Sequence, residues 1–202
     1  MKGLLLKDLL NLKQQARVYL LVVLIWMALG LLNRDTAFIG GVTMILAPML
    51  PEAAVAYDER AKWEGFAVTM PVTRRQLVLS KYILCFLGVI LGALFLSLFG
   101  FVVKTPADEL AILVAVFSGL GLVICAVSLP IVFQLGTEKG RLVILAVVLV
   151  PTMLSTLLSR VQLPELSESV WQWASRLAPL FVAALVWLSI EISCQIYRRK
   201  EF

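Results

Sequence analysis

Residues 58–81 read DERAKWEGFAVTMPVTRRQLVLSK, a charged stretch that separates two long apolar runs at residues 37–57 and 82–103. The first half of this stretch carries large or apolar side chains at the i, i+3, i+4 and i+7 spacing of one helical face. These residues are Trp63, Phe66, Ala67 and Met70. The spacing predicts a short amphipathic helix between two membrane spans.

The second half of the stretch carries signals for a break followed by a new helix. Pro71 ends the first helix because proline has no amide hydrogen and clashes with the preceding turn. Thr73 and Gln76 have the spacing of a capping box, with Arg74 and Arg75 in the first turn of the helix that follows. A helix, a break and a helix at one membrane face can present a compact surface to a partner outside the bilayer.

Composition places the chain among integral membrane proteins. Of its 202 residues 61% are hydrophobic and only 15% are charged. Runs of about 20 apolar residues match the roughly 30 Å hydrocarbon thickness of a bilayer. We predict an all-α integral membrane fold with six transmembrane helices, the first of which is short. The six runs are Val18–Leu32, Ala37–Tyr57, Tyr82–Val103, Leu110–Leu135, Leu142–Ser159 and Leu177–Tyr197.

The distribution of lysine and arginine predicts the orientation. With the N-terminus inside, fourteen basic residues lie on the cytoplasmic side and four on the other side. The four are Arg34, Lys104, Arg160 and Arg176. Both termini and residues 58–81 are therefore predicted to be cytoplasmic. This asymmetry accounts for the net charge of +5 without nucleic-acid binding.

Residues 1–17 predict an N-terminal interfacial helix. They lack the apolar core and small-residue cleavage site of a signal peptide. One face is rich in leucine and the opposite face is polar, which is typical of a helix lying in the inner leaflet. The apolar face holds Leu5, Leu9, Leu12 and Ala16, and the polar face Lys7, Asp8, Asn11, Gln14 and Gln15. A plain cytoplasmic extension of the first span is the alternative.

The residue inventory argues against an enzyme. The chain has no histidine, which removes histidine-based metal sites and serine–histidine catalysis. No phosphate-binding loop of the G-x-x-x-x-G-K-[ST] type occurs, so the chain has no nucleotide site of that kind. The three cysteines lie inside predicted spans without close-spaced partners and are interpreted as small packing residues. They are Cys85, Cys125 and Cys194.

Polar residues inside predicted spans are candidates for function. Glu52, Gln134 and Glu191 interrupt apolar runs, and a carboxylate in hydrocarbon is costly. Both glutamates lie near the cytoplasmic ends of their spans, so snorkelling or pairing with nearby basic residues is the alternative. Gly88 and Gly92 form a G-x-x-x-G pattern, which favours close helix packing either between subunits or within one.

The charged stretch resembles the cytoplasmic element of bacterial ABC exporter permeases of the type-two class. The resemblance rests on Trp63, Glu64 and Phe66, on MPVTRR at 70–75 and on SKY at 80–82. The short six-span permeases that include the phenol-soluble modulin exporters are most similar, and the likeness extends over the chain's length and topology. Gly65 departs from the pattern, since related chains tend to carry a larger polar residue there.

The resemblance implies that residues 58–81 are a coupling segment that docks on a separate ATPase. Residues 1–202 then form a single permease domain without a cofactor, two copies of which pair with two ATPase subunits that hold ATP and Mg. The implied ATPase interface comprises Trp63, Glu64, Phe66, Ala67, Met70, Pro71, Arg74 and Arg75. The implied function is export, across a bacterial plasma membrane, of amphipathic peptides or other hydrophobic cargo.

Two alternatives accompany this interpretation. The chain can instead be a non-transporting membrane scaffold that recruits a cytosolic partner, and the aromatic stripe of residues 63–70 can lie on the lipid surface.

The extracytoplasmic residues 160–176 carry two tryptophans beside acidic residues, which is typical of an interfacial segment. Such a segment either gates the exit or anchors the chain.

Overall fold

The computed structural model describes residues 2–69, 71–140, 142, 145–146, 149 and 168–199. Over these residues the chain forms helices and no strands, so the all-α prediction is confirmed. The helices are α1 (Lys2–Asn33), α2 (Thr36–Arg60), α3 (Trp63–Thr69), α4 (Arg74–Val103), α5 (Ala107–Leu135) and α6 (Glu168–Arg199). Residues 137–140 are also helical.

Four described helices are long and apolar enough to cross a membrane. They are α2, α4, α5 and the Arg176–Arg199 part of α6. The two parts of α1, Gly3–Lys13 and Arg17–Asn33, meet at 65° and can supply a fifth span as a bent pair. Most of the predicted span at 142–159, and residues 160–167 of the predicted outer segment at 160–176, lie outside the described residues, whereas 168–176 form the start of α6. Six spans and an N-in, C-in orientation therefore stay predictions.

Local capping sets where α2 and α4 begin. The Asp35 carboxylate accepts hydrogen bonds from the backbone N–H groups of Ala37 (2.9 Å) and Phe38 (3.3 Å). At α4, the Thr73 hydroxyl accepts from the Gln76 N–H (3.3 Å), and the Gln76 side chain accepts from the Thr73 N–H (3.1 Å). The capping box predicted from sequence is therefore confirmed, and it fixes the direction in which α4 leaves the break.

Helix α2 lies at the centre of the described bundle, where it packs against α1, α4 and α5, while α6 packs against α5 and α4. The largest buried cluster joins α2, α4, α5 and α6. Its members are Val55, Val78, Tyr82, Cys85, Cys125, Leu129, Val132, Phe133, Cys194 and Tyr197. The helices that flank residues 61–73 in sequence thus belong to the best-packed part of the molecule.

Two of the three cysteines form a disulfide. Cys85 on α4 and Cys125 on α5 are bonded, although 40 positions separate them in sequence. The interpretation of all three as packing residues is therefore wrong for this pair, because the sequence spacing does not show that α4 and α5 are adjacent. Cys194 is a buried free thiol within the same cluster, as expected of a packing residue.

The G-x-x-x-G pattern of α4 faces α2 within the same chain. A Cβ atom added to Gly88 would lie 3.0 Å from the backbone oxygen of Ala47, and one added to Gly92 would lie 3.2 Å from Cβ of Thr43. Backbone atoms cannot move aside as a flexible side chain can. The two glycines therefore let α4 approach α2 closely, which decides between the two interpretations in favour of packing inside the subunit.

We expect Gly88→Val to destabilise the bundle by about 1–3 kcal/mol, because the new side chain overlaps the α2 backbone. Thermal unfolding of the detergent-solubilised protein measures the effect as a lower midpoint. Gly119→Val is the matched control, since a Cβ at Gly119 meets no atom within 4 Å. Equal losses in both variants would show that the contact with α2 is unimportant.

Candidate functional site

The residues that join α2 to α4, numbers 61–73, form what we call the α3 segment. Its one helix, α3, has an inner and an outer side. Ala67 is only 1% exposed and Trp63 is partly buried, so both face the bundle. Phe66, one turn away, is 64% exposed and faces outward beside the exposed Gly65. The large apolar side chains of α3 thus do not share a single surface.

The structure distributes the predicted ATPase-interface residues over different environments. Phe66, Pro71 and Arg75 are exposed, whereas Arg74 is partly buried. Trp63 and Ala67 are turned towards the bundle. The Glu64 side chain and the whole of Met70 lie outside the described residues. Within the described part, the outer surface of the α3 segment is therefore centred on Phe66.

Four charged side chains from three helices form an ion cluster behind the α3 segment. The Lys81 ammonium donates to both carboxylate oxygens of Asp8 (2.9 Å each) and to Oδ2 of Asp58 (2.7 Å). Lys7 bonds to Oδ1 of Asp58 and lies 3.2 Å from Oδ1 of Asp8. We call these residues of α1, α2 and α4 the ion quartet. Its two positive and two negative charges balance.

Burial makes this balance important. Asp8 is 1% exposed and Lys81 is 6% exposed, and a charge removed from water is tolerated only where it is paired and hydrogen-bonded. Because its partners come from different helices, the quartet fixes the first part of α1 against the ends of α2 and α4 that flank the α3 segment.

The quartet corrects the prediction for the N-terminal helix. Asp8 was placed on its polar outer face, but the structure turns Asp8 inward together with Leu4 and Leu12. The exposed leucines of this part are instead Leu6, Leu9 and Leu10. Helical periodicity could not show this, because the buried Asp8 carboxylate is stabilised by Lys81, which lies 73 positions away in sequence. The position of this helix in the membrane interface stays a prediction.

Trp63 connects α3 to the quartet. The Lys7 ammonium lies 4.5 Å from the centroid of the Trp63 ring, the geometry of a cation–π contact. The indole Nε1 is shielded from solvent and has no hydrogen-bond partner among the described residues. The ring face is therefore the part of Trp63 that the structure uses, and it attaches α3 to α1.

Two further polar contacts flank the α3 segment. On the α2 side, the Glu59 carboxylate accepts from the Thr137 N–H (3.1 and 3.2 Å) and the Thr137 hydroxyl (2.6 Å). On the α4 side, Nη1 of Arg74 donates to the backbone oxygens of Tyr197 (2.8 Å) and Arg198 (3.0 Å). Arg74 was predicted to contact the ATPase, but its guanidinium is engaged with the end of α6.

A hydroxyl network inside the bundle was missed by the sequence analysis. The Tyr82 hydroxyl lies 2.5 Å from the Ser189 hydroxyl and 2.9 Å from that of Ser193, and Ser189 donates to the Ala126 backbone oxygen (2.5 Å). Small polar side chains at i and i+4 in an apolar helix were the available signal, but their partner on α4 was not visible. The network joins α4, α5 and α6, and its Tyr82 directly follows Lys81 of the quartet in sequence.

The intramembrane polar candidates are not brought together in one site. Glu52 on α2 and Glu191 on α6 are both partly buried, and Gln134 is exposed near the end of α5. Gln134 borders a groove of about 350 Å³ between α5 and α6, together with Phe133, Ile192, Gln195, Ile196 and Arg199. Across the described ranges, no three histidine, cysteine or carboxylate side chains are grouped as a metal site. A functional role for the two glutamates stays a prediction.

Comparison with known proteins gives a family match. A family model described as "ABC-2 family transporter protein" matches residues 3–198, which includes the quartet, the α3 segment and nearly all of α6. No similar curated protein and no similar solved structure was found. The match covers almost the whole chain rather than the α3 segment alone.

We expect Lys81→Met to destabilise the protein by about 3–5 kcal/mol, because two buried carboxylates would then share only Lys7. Asp8→Asn combined with Lys81→Met should recover much of that loss, since the remaining Lys7–Asp58 pair is neutral. Thermal unfolding of the single and double variants measures the coupling. Lys13→Met, at an exposed position of α1, is the control. A double variant as unstable as Lys81→Met would contradict charge balance as the cause.

Proposed function

Because the chain belongs to the ABC-2 transporter family, we propose that it is the permease subunit of an exporter driven by a separate ATPase. Family membership makes it a multi-pass membrane protein and the membrane permease of an ABC transporter. It also implies a transmembrane subunit without an ATPase site of its own and an ABC ATPase as partner. The finer assignments below are proposals.

The α3 segment is the proposed coupling element. The observation that carries this assignment is Phe66, a large aromatic side chain 64% exposed on a short helix outside the long spans. A protruding aromatic residue beside charge is the usual anchor of a protein interface. Arg75, also exposed, supplies a charged rim, whereas Trp63 and Arg74 act from inside by holding the segment to the bundle.

Attachment to the bundle makes the segment suited to transmitting force. ATP and Mg would act in the partner, where two ATPase subunits close on each other, and the docked α3 segments would follow. A loosely tethered loop would absorb such a displacement. The quartet and the Trp63–Lys7 contact instead hold the segment to α1, α2 and α4, so rigid-body movement is the simplest response.

The proposed cargo is amphipathic or hydrophobic, such as amphipathic peptides. Two copies of the permease would pair within the membrane and enclose the path between them. The spans contain few charges, and walls of this kind suit apolar cargo better than ions or sugars. We place the complex in the plasma membrane of a bacterium, surrounded by lipid, with transport directed outward, as in the phenol-soluble modulin exporter group.

Affinity purification of the full chain from membranes tests the ATPase assignment. We expect a soluble subunit with a G-x-x-x-x-G-K-[ST] loop to co-purify in equal copy number, and the complex to hydrolyse MgATP. Crosslinking in native membranes should trap two permease copies. A stable complex with a protein that lacks a nucleotide-binding loop would instead favour the membrane scaffold.

We expect Phe66→Ala to weaken ATPase binding by about 2 kcal/mol or more, roughly thirtyfold, because a central aromatic anchor is lost. Co-purification of the ATPase at graded detergent dilution measures the change. Phe101→Ala is the matched control, since Phe101 is 75% exposed but lies near the opposite end of α4. Trp63→Phe keeps an aromatic face for Lys7 but loses the pyrrole ring with its N–H group, so we expect a smaller loss of ATPase binding than in Phe66→Ala. Normal binding by Phe66→Ala would exclude Phe66 as the anchor.

A further inference from the structure

Two charged residues flank the α3 segment. Each bonds to a helix that is not adjacent to the segment in sequence. Glu59 lies in the last turn of α2, two residues before the segment starts, and reaches Thr137. Arg74 is the first residue of α4, directly after the segment ends, and reaches the last turn of α6. Covalent connection alone would deliver a displacement of the segment only to α2 and α4.

The charges of Arg74 and Glu59 suit the groups they contact better than the helix ends on which they lie. A helix carries partial positive charge at its N-terminus and partial negative charge at its C-terminus. Arg74 is a cation at the N-terminus of its own helix and Glu59 an anion near the C-terminus of its own, so each is unfavourably placed there. Arg74 is favourably placed on its partner, because it meets the carbonyl end of α6, and Glu59 is neutralised locally by accepting from the N–H and hydroxyl of Thr137.

Both contacts reach backbone groups in the outermost described turns of the helices they join. Arg74 donates to two carbonyl oxygens of α6, at 2.8 and 3.0 Å, and Glu59 accepts from the N–H and the hydroxyl of Thr137 together. A charged partner with two bonds resists both sliding and rotation of the helix end that it holds.

We infer that Arg74 and Glu59 are positioning residues that pass movement of the α3 segment to α6 and to the helix that starts at Thr137. The inference rests on the proposed coupling role of the segment and extends it. One docking element would then move four helix ends, those of α2, α4, α6 and the 137–140 helix, instead of two.

Hydrogen exchange measured by mass spectrometry on the complex of the full chain with its co-purified ATPase tests the inference. Exchange is compared without nucleotide and with MgATP plus orthovanadate, over peptides at 190–199, 137–140 and 57–60. In the unaltered protein we expect all three peptides to respond to nucleotide. In Arg74→Gln the peptide at 190–199 should lose its response while 57–60 keeps it, and basal exchange in the last turn of α6 should quicken about tenfold with the loss of a charged contact.

Three further variants sharpen the test. Arg60→Gln removes an exposed arginine beside Glu59 and should change none of the responses. Arg74→Lys keeps a cation at the end of α6 and should retain part of the response at 190–199. Glu59→Met should abolish the response at 137–140 alone. It tests the role of Glu59 independently of Arg74, and Arg74→Lys tests the α6 contact if Arg74→Gln fails to fold or to hold the ATPase.

The outcomes separate this inference from the proposed function. If no ATPase accompanies the unaltered chain, the proposed function itself fails. If the ATPase binds but 190–199 does not respond to nucleotide, or responds equally in Arg74→Gln, the positioning role of Arg74 is wrong while the coupling role of the segment stands. A response at 137–140 that survives in Glu59→Met overturns the role of Glu59 in the same way.

Discussion

The placement of Lys81 between two carboxylates is the interaction on which the arrangement around the α3 segment depends. Its ammonium is almost fully buried and bonds to Asp8 and Asp58, which come from two other helices. A buried charge of this kind is stable only when its partners are held in place. Lys81 therefore fixes α1, α2 and α4 relative to one another at the end of the bundle where the segment emerges, and Lys7 completes the charge balance.

The other contacts of the segment build on that fixed base. Lys7 also faces Trp63, so the quartet holds α3 itself, and Glu59 and Arg74 extend the connection to the ends of two further helices. The inner side of α3 is thus committed to the chain, whereas the outer side presents Phe66. The proposed docking residue and the residues that attach the segment to the bundle are therefore different.

Several features of this architecture were predictable from local sequence. The long apolar runs predicted the helices α2, α4, α5 and the Arg176–Arg199 part of α6, because crossing a bilayer requires a minimum number of apolar residues. The capping box at Thr73 and Gln76 was predictable because it involves residues three positions apart. The resemblance carried by residues 63–82 agreed with the family match over residues 3–198. Composition and short-range spacing thus determined the helical membrane fold and the location of the candidate site.

The tertiary structure alone decided which side chains of that site face inward and what they bind. Asp8 and Lys81 are 73 positions apart, Arg74 and Tyr197 are 123 apart, and Cys85 and Cys125 are 40 apart, so no helical period relates them. Arg74 moreover binds backbone oxygens, which any residue of α6 would supply and which therefore leave no mark in the sequence. A single sequence shows which face of a helix is polar, but the partner that makes a buried charge tolerable is chosen by the packing of the helices.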